Sequence, residues 1–372
     1  MNTIVYGIRQ RTAGLGLDER LAGNLKGAAW LVIIASAIGL AILAFGSPFI
    51  IRLAAAAYIN LIAVVGLQIF MGNANVVNIG HAGFMALGAY FTAVFATPVM
   101  IKATLIPNAP FGLAGVELAA IYAFILSIAI TTLIGLITGL VLVRLAGIAA
   151  TILTISILVI VQGVLVTWTD LFRGAQAFFG IPKVVGLGGI ILATAVVLVI
   201  ARLFKGSRAG VQLRASATDP VAAEAMGVDV RRLRLVAWVL GSAVVGCAGA
   251  LYALYAGTIN ARAFYFHTAF LTLAMAIVGG MRSVTGAMVG VALLTVLLEL
   301  IRIVEGGITV LGIAFPEMLG LSGLMLGVVI VVVMCFRPDG FMGGYEVEEA
   351  VAALRARLSS RRRAAVAGEG TQ

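Results

Sequence analysis

Long apolar runs, separated by short polar or glycine-rich breaks, set the pattern of this chain. A helix crossing the hydrocarbon core of a bilayer needs about 20 mainly apolar residues. Ten runs approach or exceed that length: Ala28–Gly46, Leu53–Met71, Ile79–Met100, Val116–Val143, Ile148–Trp168, Gly186–Phe204, Leu235–Gly257, Phe264–Gly280, Gly286–Val304 and Glu317–Phe336. They predict an all-α polytopic membrane protein of about ten transmembrane or re-entrant helices. Only Arg144 to Gly147 separates the fourth run from the fifth, so that pair is a tight helical hairpin or contains a re-entrant member.

Two breaks differ from the rest. The longest, Lys205 to Arg234, is charged and carries the segment Arg214-Ala-Ser-Ala-Thr-Asp-Pro-Val-Ala-Ala-Glu-Ala-Met-Gly227. Asp219 can cap a helix, Pro220 suits its first turn, and Gly227 offers a left-handed stop. Between them lies a helix of about two turns, roughly 10 Å long. It is too short to cross a bilayer and suits docking from the aqueous side. The second break, Gly72-Asn-Ala-Asn-Val-Val-Asn-Ile-Gly-His-Ala-Gly-Phe84, is uncharged. Either irregular backbone enters a cavity there, or the segment is an ordinary short turn with satisfied asparagines. In the first case a helix starting near Asn78 aims free N–H groups and partial positive charge inward, where they favour a carboxylate.

Composition supports the membrane reading: 62% of residues are hydrophobic, 11% are charged and the mean hydropathy is +1.15. The net charge of +10 is not a nucleic-acid signal, because the basic residues sit between spans and in the tails. Starting with the N-terminus inside, roughly 19 Lys and Arg fall on the cytoplasmic side against about six outside, so both termini are expected in the cytoplasm. The organisation is then a basic N-terminal segment (1–27), a membrane domain (28–340) with a cytoplasmic loop at 205–234, and a C-terminal tail (341–372). Met1 to Lys26 is polar and basic, so the first span is expected to serve as its own insertion signal. In the tail, Val347, Val351, Leu354 and Leu358 share one helical face before Arg361-Arg362-Arg363, a pattern for lying on membrane lipid.

Chemistry inside the spans is sparse. Cys247 and Cys335 lie in apolar runs with no metal-ligand spacing. His81 has no Asp or Cys neighbour for acid–base work, so a backbone hydrogen bond or a lining role is expected of it. Glu299 and Arg302 share a helix face near its end and form a gating pair or a structural one. Gly135-xxx-Gly139 and Gly286-xxx-Gly290 let helices approach closely. No G-x-x-x-x-G-K-[ST] loop is present, so energy from nucleotide hydrolysis has to come from another chain.

Several blocks together resemble a known family, the LivM-type permeases of ATP-binding-cassette (ABC) importers for branched-chain amino acids, which also include urea and amide permeases. They are Asn78-Ile-Gly-His-Ala-Gly-Phe84 running to Gly88-Ala-Tyr90, Ala222-Ala-Glu-Ala-Met-Gly227, Cys247-Ala-Gly-Ala-Leu-Tyr252, Ile277-Val-Gly-Gly-Met281 running to Gly286, and Arg337-Pro-Asp-Gly340. The similarity runs from about Leu53 to Gly340. It implies a non-enzymatic, multi-pass subunit of a bacterial inner membrane that binds no cofactor and supplies half of a translocation path. Its implied partners are a second homologous permease, two ABC ATPase subunits and a periplasmic or other extracytoplasmic substrate-binding protein. Asp219, Pro220, Ala223, Glu224, Ala225, Met226 and Gly227 then form the ATPase-coupling helix. Asn75, Asn78, Gly80, His81, Gly83 and Phe84 line or shape the path. After the fifth run only Gly174-Ala-Gln176 and Gly180-Ile-Pro182 fit the family pattern, and Thr154-Ile-Ser156 lacks the acidic residue often found just downstream. The substrate therefore stays open between branched-chain or other hydrophobic amino acids and urea or short-chain amides. An ion-coupled secondary transporter is the alternative from another class, but it needs acids near the midplane, where Glu299 is almost the only one. A membrane enzyme needs clustered acids or histidines, and His81 and His267 are far apart in the sequence.

Overall fold

The computed structural model describes residues 17–306, 309–310, 313–314, 320–337, 339–343 and 346. The predicted tail helix from Val347, and residues 1–16 of the basic N-terminal segment, lie outside the described residues. In chain order the helices are α1 (Leu17–Phe45), α2 (Pro48–Ala74), α3 (His81–Ala96), α4 (Val99–Leu105), α5 (Ala120–Leu142), α6 (Gly147–Thr167), α7 (Thr169–Phe172), α8 (Leu187–Gly206), α9 (Arg208–Ser216), α10 (Pro220–Ala225), α11 (Val230–Ala256), α12 (Phe266–Gly279), α13 (Val284–Glu305) and α14 (Leu321–Phe336). Two antiparallel pairs of two-residue strands complete the elements: β1 (Phe178–Phe179) with β2 (Thr258–Ile259), and β3 (Thr309–Val310) with β4 (Ile313–Ala314). Among the described residues this is an all-α membrane architecture.

Each of the ten predicted runs has a helix. Eight helical segments are long and apolar enough to cross a bilayer, among them α6, the fifth run, at 21 residues. The α5–α6 pair is thus a hairpin of two full-length helices. The third run differs from expectation: α3 stops after 16 residues at Ala96, and the chain turns through 117° into α4. Pro98 explains the stop, because its ring clashes with a continuing helix and the residue before it is pushed to extended backbone. Thr97 is extended accordingly, at φ −69° and ψ 135°. The last run is also short, with α14 spanning 16 residues.

α11 is the central helix, packed against α2, α3 and α5, while α1 lies on α8 and α13 on α12. Glycine makes the α3–α11 contact possible. A Cβ on Gly249 would stand 1.8 Å from the Met85 carbonyl oxygen, and one on Gly88 would stand 2.1 Å from that of Gly246. The predicted small-residue pairs serve packing too: Gly135 and Gly139 face Ser242 and Trp238, and Gly286 and Gly290 face Gly279 and Met275.

Contacts sort the loops into two ends. At one end the bend after α2, the α8–α11 loop, the α12–α13 turn and the segment after α14 meet: Arg214 binds Asn73, Lys205 binds the Arg282 carbonyl, and Glu346 binds Val284. At the other end β1 and β2 pair, and the Leu118 N–H donates to the Phe95 carbonyl at 3.0 Å.

Candidate functional site

The short helix in the charged loop is α10, Pro220–Ala225. The Asp219 carboxylate caps it by accepting the Ala222 N–H at 3.0 Å, and Pro220 occupies the first turn. Its far end is a Schellman motif: the Val228 N–H donates to the Ala223 carbonyl at 3.1 Å and the Gly227 N–H to the Glu224 carbonyl at 2.9 Å. Gly227 makes this possible at φ +79°, a region other L-residues rarely adopt. Only Ala223 of this helix is buried. Val221 and Met226 stand 78% and 85% exposed, large apolar groups on a capped helix that none of the described residues covers. Glu224, Ala225 and Gly227 are exposed beside them. This is the geometry of a rigid, exposed knob.

The uncharged break builds a different structure. Helix α2 ends at Ala74, Asn75 caps it in left-handed conformation at φ 54°, and the chain runs without helix until His81 opens α3. The bend lies within the depth of the helical bundle. His81 bonds Thr272, seven residues before the end of α12, which is about 10 Å along that helix. Irregular backbone at such depth has to be satisfied by protein. Here the Ile79 N–H donates to Thr154 Oγ1 at 3.2 Å. His81 Nδ1 meets the Asn78 carbonyl at 3.0 Å, and its Nε2 meets Thr272 Oγ1 at 2.6 Å. His81 is 1% exposed with both ring nitrogens engaged, which fits a structural strut.

Asn78, His81 and Phe84 converge with Phe70, Trp238 and Ser242 on a seam between α2, α3 and α11. Trp238 is edge-on to Phe70 and to Phe84, with ring centroids at 5.0 and 5.5 Å. The seam has no free space for a water-sized sphere. Among the described residues, Asn78 Oδ1 is the one side-chain polar atom of the bend left buried without a hydrogen-bond partner. The other predicted path residues lie elsewhere. Asn75 is exposed at the helix cap, and Gly80 and Gly83 face α6 at Thr154, Leu158 and Val161. Trp238, Ser242 and Thr272 carry no local sequence signal, because each belongs to a helix remote in sequence.

Glu299 and Arg302 do pair, at 3.0 Å along α13. The Arg302 side chain is 65% exposed and its guanidinium lies 5.9 Å from the centre of the Phe49 ring. The pair thus sits at the bundle surface, away from the seam. Among the described residues no group of three or more His, Cys, Asp and Glu could hold a metal ion.

A third cluster surrounds Glu346, which is 4% exposed. Its carboxylate pairs with Lys205 and, at 3.2 Å, with Arg202. It also accepts the Val284 and Thr285 N–H groups at 3.1 and 3.2 Å and the Thr285 hydroxyl at 2.7 Å, which closes the start of α13. Burial would raise its pKa, but the Lys205 and Arg202 charges, with hydrogen bonds from Lys205 and Thr285, outweigh burial and hold it at about 2.

Residues 49–334 match the family model described as the branched-chain amino acid transport system permease component. The high-affinity branched-chain amino acid transport system permease protein LivM of Escherichia coli K12 is 32% identical over 124 residues, 33% of this chain and 26% of that protein. The probable branched-chain amino acid transport permease protein LivM of Methanocaldococcus jannaschii is 32% identical over 132 residues, 35% of this chain and 38% of that protein. Its probable LivH is 30% identical over 114 residues, 31% and 35% respectively. These matches thus span well under half the length of each relative. No solved structure matches the chain.

Proposed function

The chain belongs to the family of branched-chain amino acid transport system permease components, and from that premise we propose that it is the permease subunit of an ATP-driven ABC importer. It would supply half of the path for branched-chain or other hydrophobic amino acids, in a bacterial inner membrane. A second homologous permease would complete the path; relatives of both LivM and LivH type match this chain. Two ATPase chains would dock below, and an extracytoplasmic binding protein would deliver substrate. Both termini would lie in the cytoplasm, the side that collects most of the Lys and Arg.

The observation that carries this reading is α10. A two-turn helix capped at both ends, with Val221 and Met226 bare, can transmit a push without deforming. Movement of the docked ATPases would then shift the helical bundle between states of different accessibility. The closed seam at Asn78, His81, Phe84 and Trp238 would be one barrier such a shift opens.

Affinity purification of the tagged chain from native membranes tests the assembly. Recovery of two ATPase chains and a second permease is the expected result. A homo-oligomer without ATPase, under conditions that preserve other ABC complexes, would overturn the reading in favour of an ion-coupled carrier. Uptake by the recovered complex of labelled leucine, compared with urea and acetamide, then decides the substrate class.

A further inference from the structure

Resting on the importer reading, we propose that Arg214 is the positioning residue that carries displacement of the α9–α10 loop into the uncharged bend at residues 75–80. α10 packs on α9, and Arg214 lies in the last turn of α9. Its Nη1 donates to Asn73 Oδ1 at 2.9 Å and to the Lys205 carbonyl at 2.8 Å. Asn73 is 6% exposed, and its Nδ2 donates to the Ile69 carbonyl at 2.9 Å. That bond fixes which way the amide points and leaves Oδ1 for the guanidinium. Two residues after Asn73 the chain leaves helix at Asn75, and from there it reaches Asn78 and His81.

The second acceptor supplies the pivot. Lys205, whose carbonyl holds Arg214, gives its ammonium to Glu346 and to the Arg282 carbonyl. Glu346 in turn holds Arg202 and the first residues of α13. The end of α8 is thereby tied to the start of α13. A push on α10 meets a fixed point at Lys205 and a compliant one at Asn73, where the helix is about to end. Charged donors make the stronger hydrogen bonds, so this link can bear load without being covalent.

The test uses the complete transporter in proteoliposomes, with substrate uptake per ATP hydrolysed as the readout. R214A and N73A are each expected to lower that ratio about tenfold, the worth of one charged hydrogen bond. ATPase chains should remain at wild-type stoichiometry. The double variant should be no worse than either single one, and N73D, which offers a carboxylate to the same guanidinium, should keep the ratio near wild type. The proposal is overturned if R214A retains normal uptake per ATP, or if the two losses multiply. If R214A does not assemble, N73A against N73D decides alone, and equal ratios in those two would sink the link. Loss of the ATPases from the wild-type preparation would instead overturn the importer reading, and this proposal with it.

Discussion

Glu346 accepts from both cations and from the start of α13, so removing its charge takes a buried ion-pair partner from Arg202 and Lys205. Breaking a buried pair in this way costs about 3 kcal/mol or more. E346Q is therefore expected to lower the melting temperature of the detergent-purified protein at pH 7; an unchanged melt would mean that the cluster contributes nothing net. The pH dependence has a definite sign. The folded carboxyl, at about 2, lies below its ordinary value of 4.5, so its stabilisation is complete above about pH 4.5 and fades as pH falls toward 2. E346Q should lose that acid dependence. His81 makes the opposite prediction: Gln can replace one of its two bonds, so H81Q should slow uptake by less than about tenfold. Complete loss with intact assembly would show that the imidazole itself is needed. These two residues also mark what the sequence reveals at this scale. Asp219 and its target Ala222 are three residues apart, so the cap is legible. Glu346 and Lys205 are 141 residues apart and His81 and Thr272 are 191 apart, and no local pattern announces either.

Helices follow from composition here because a bilayer leaves apolar backbone few alternatives. All ten runs were legible for that reason, and so was α10, through cap, proline and glycine. The third run was overestimated because apolar composition continues through Thr97 and Pro98 while the helix does not. The α4 turn and the β1–β2 pair were not legible: seven residues and two residues are too short to show a period. At α10 the exposed apolar groups give a direct test. V221E or M226E should leave membrane insertion and thermal stability unchanged, since neither side chain is buried among the described residues, yet should deplete ATPase from the purified complex. Retention of ATPase in both would remove α10 from the docking surface. The α3–α11 contact predicts the reverse effect. G249L cannot be seated against the Met85 carbonyl without parting the helices, at a cost of about 3 kcal/mol or more. The yield of folded, monodisperse protein in detergent should collapse, and near-normal yield would mean that the two helices are loosely held.

At the scale of the whole molecule the contacts agree with the parity read from charge. Every loop assigned to the basic side and described in the structure, apart from the Val143–Ala146 turn, meets the others at one end. Which end faces the cytoplasm is a matter for labelling. In a C247S/C335S background expressed without ATPase chains, M226C should react with an impermeant maleimide only after permeabilisation, and F111C in intact cells; both side chains are more than four-fifths exposed. The reverse pattern would invert the orientation. Substrate identity was never legible, because a seam such as that of α2, α3 and α11 is assembled from residues remote in sequence. The small β1–β2 pair has a further consequence. It fastens the entry of α8 to the exit of α11, and the Lys183 stem lies over Gly257 beside it. While that hasp holds, these ends of α8 and α11 travel together, and parting them means first breaking the strand pair.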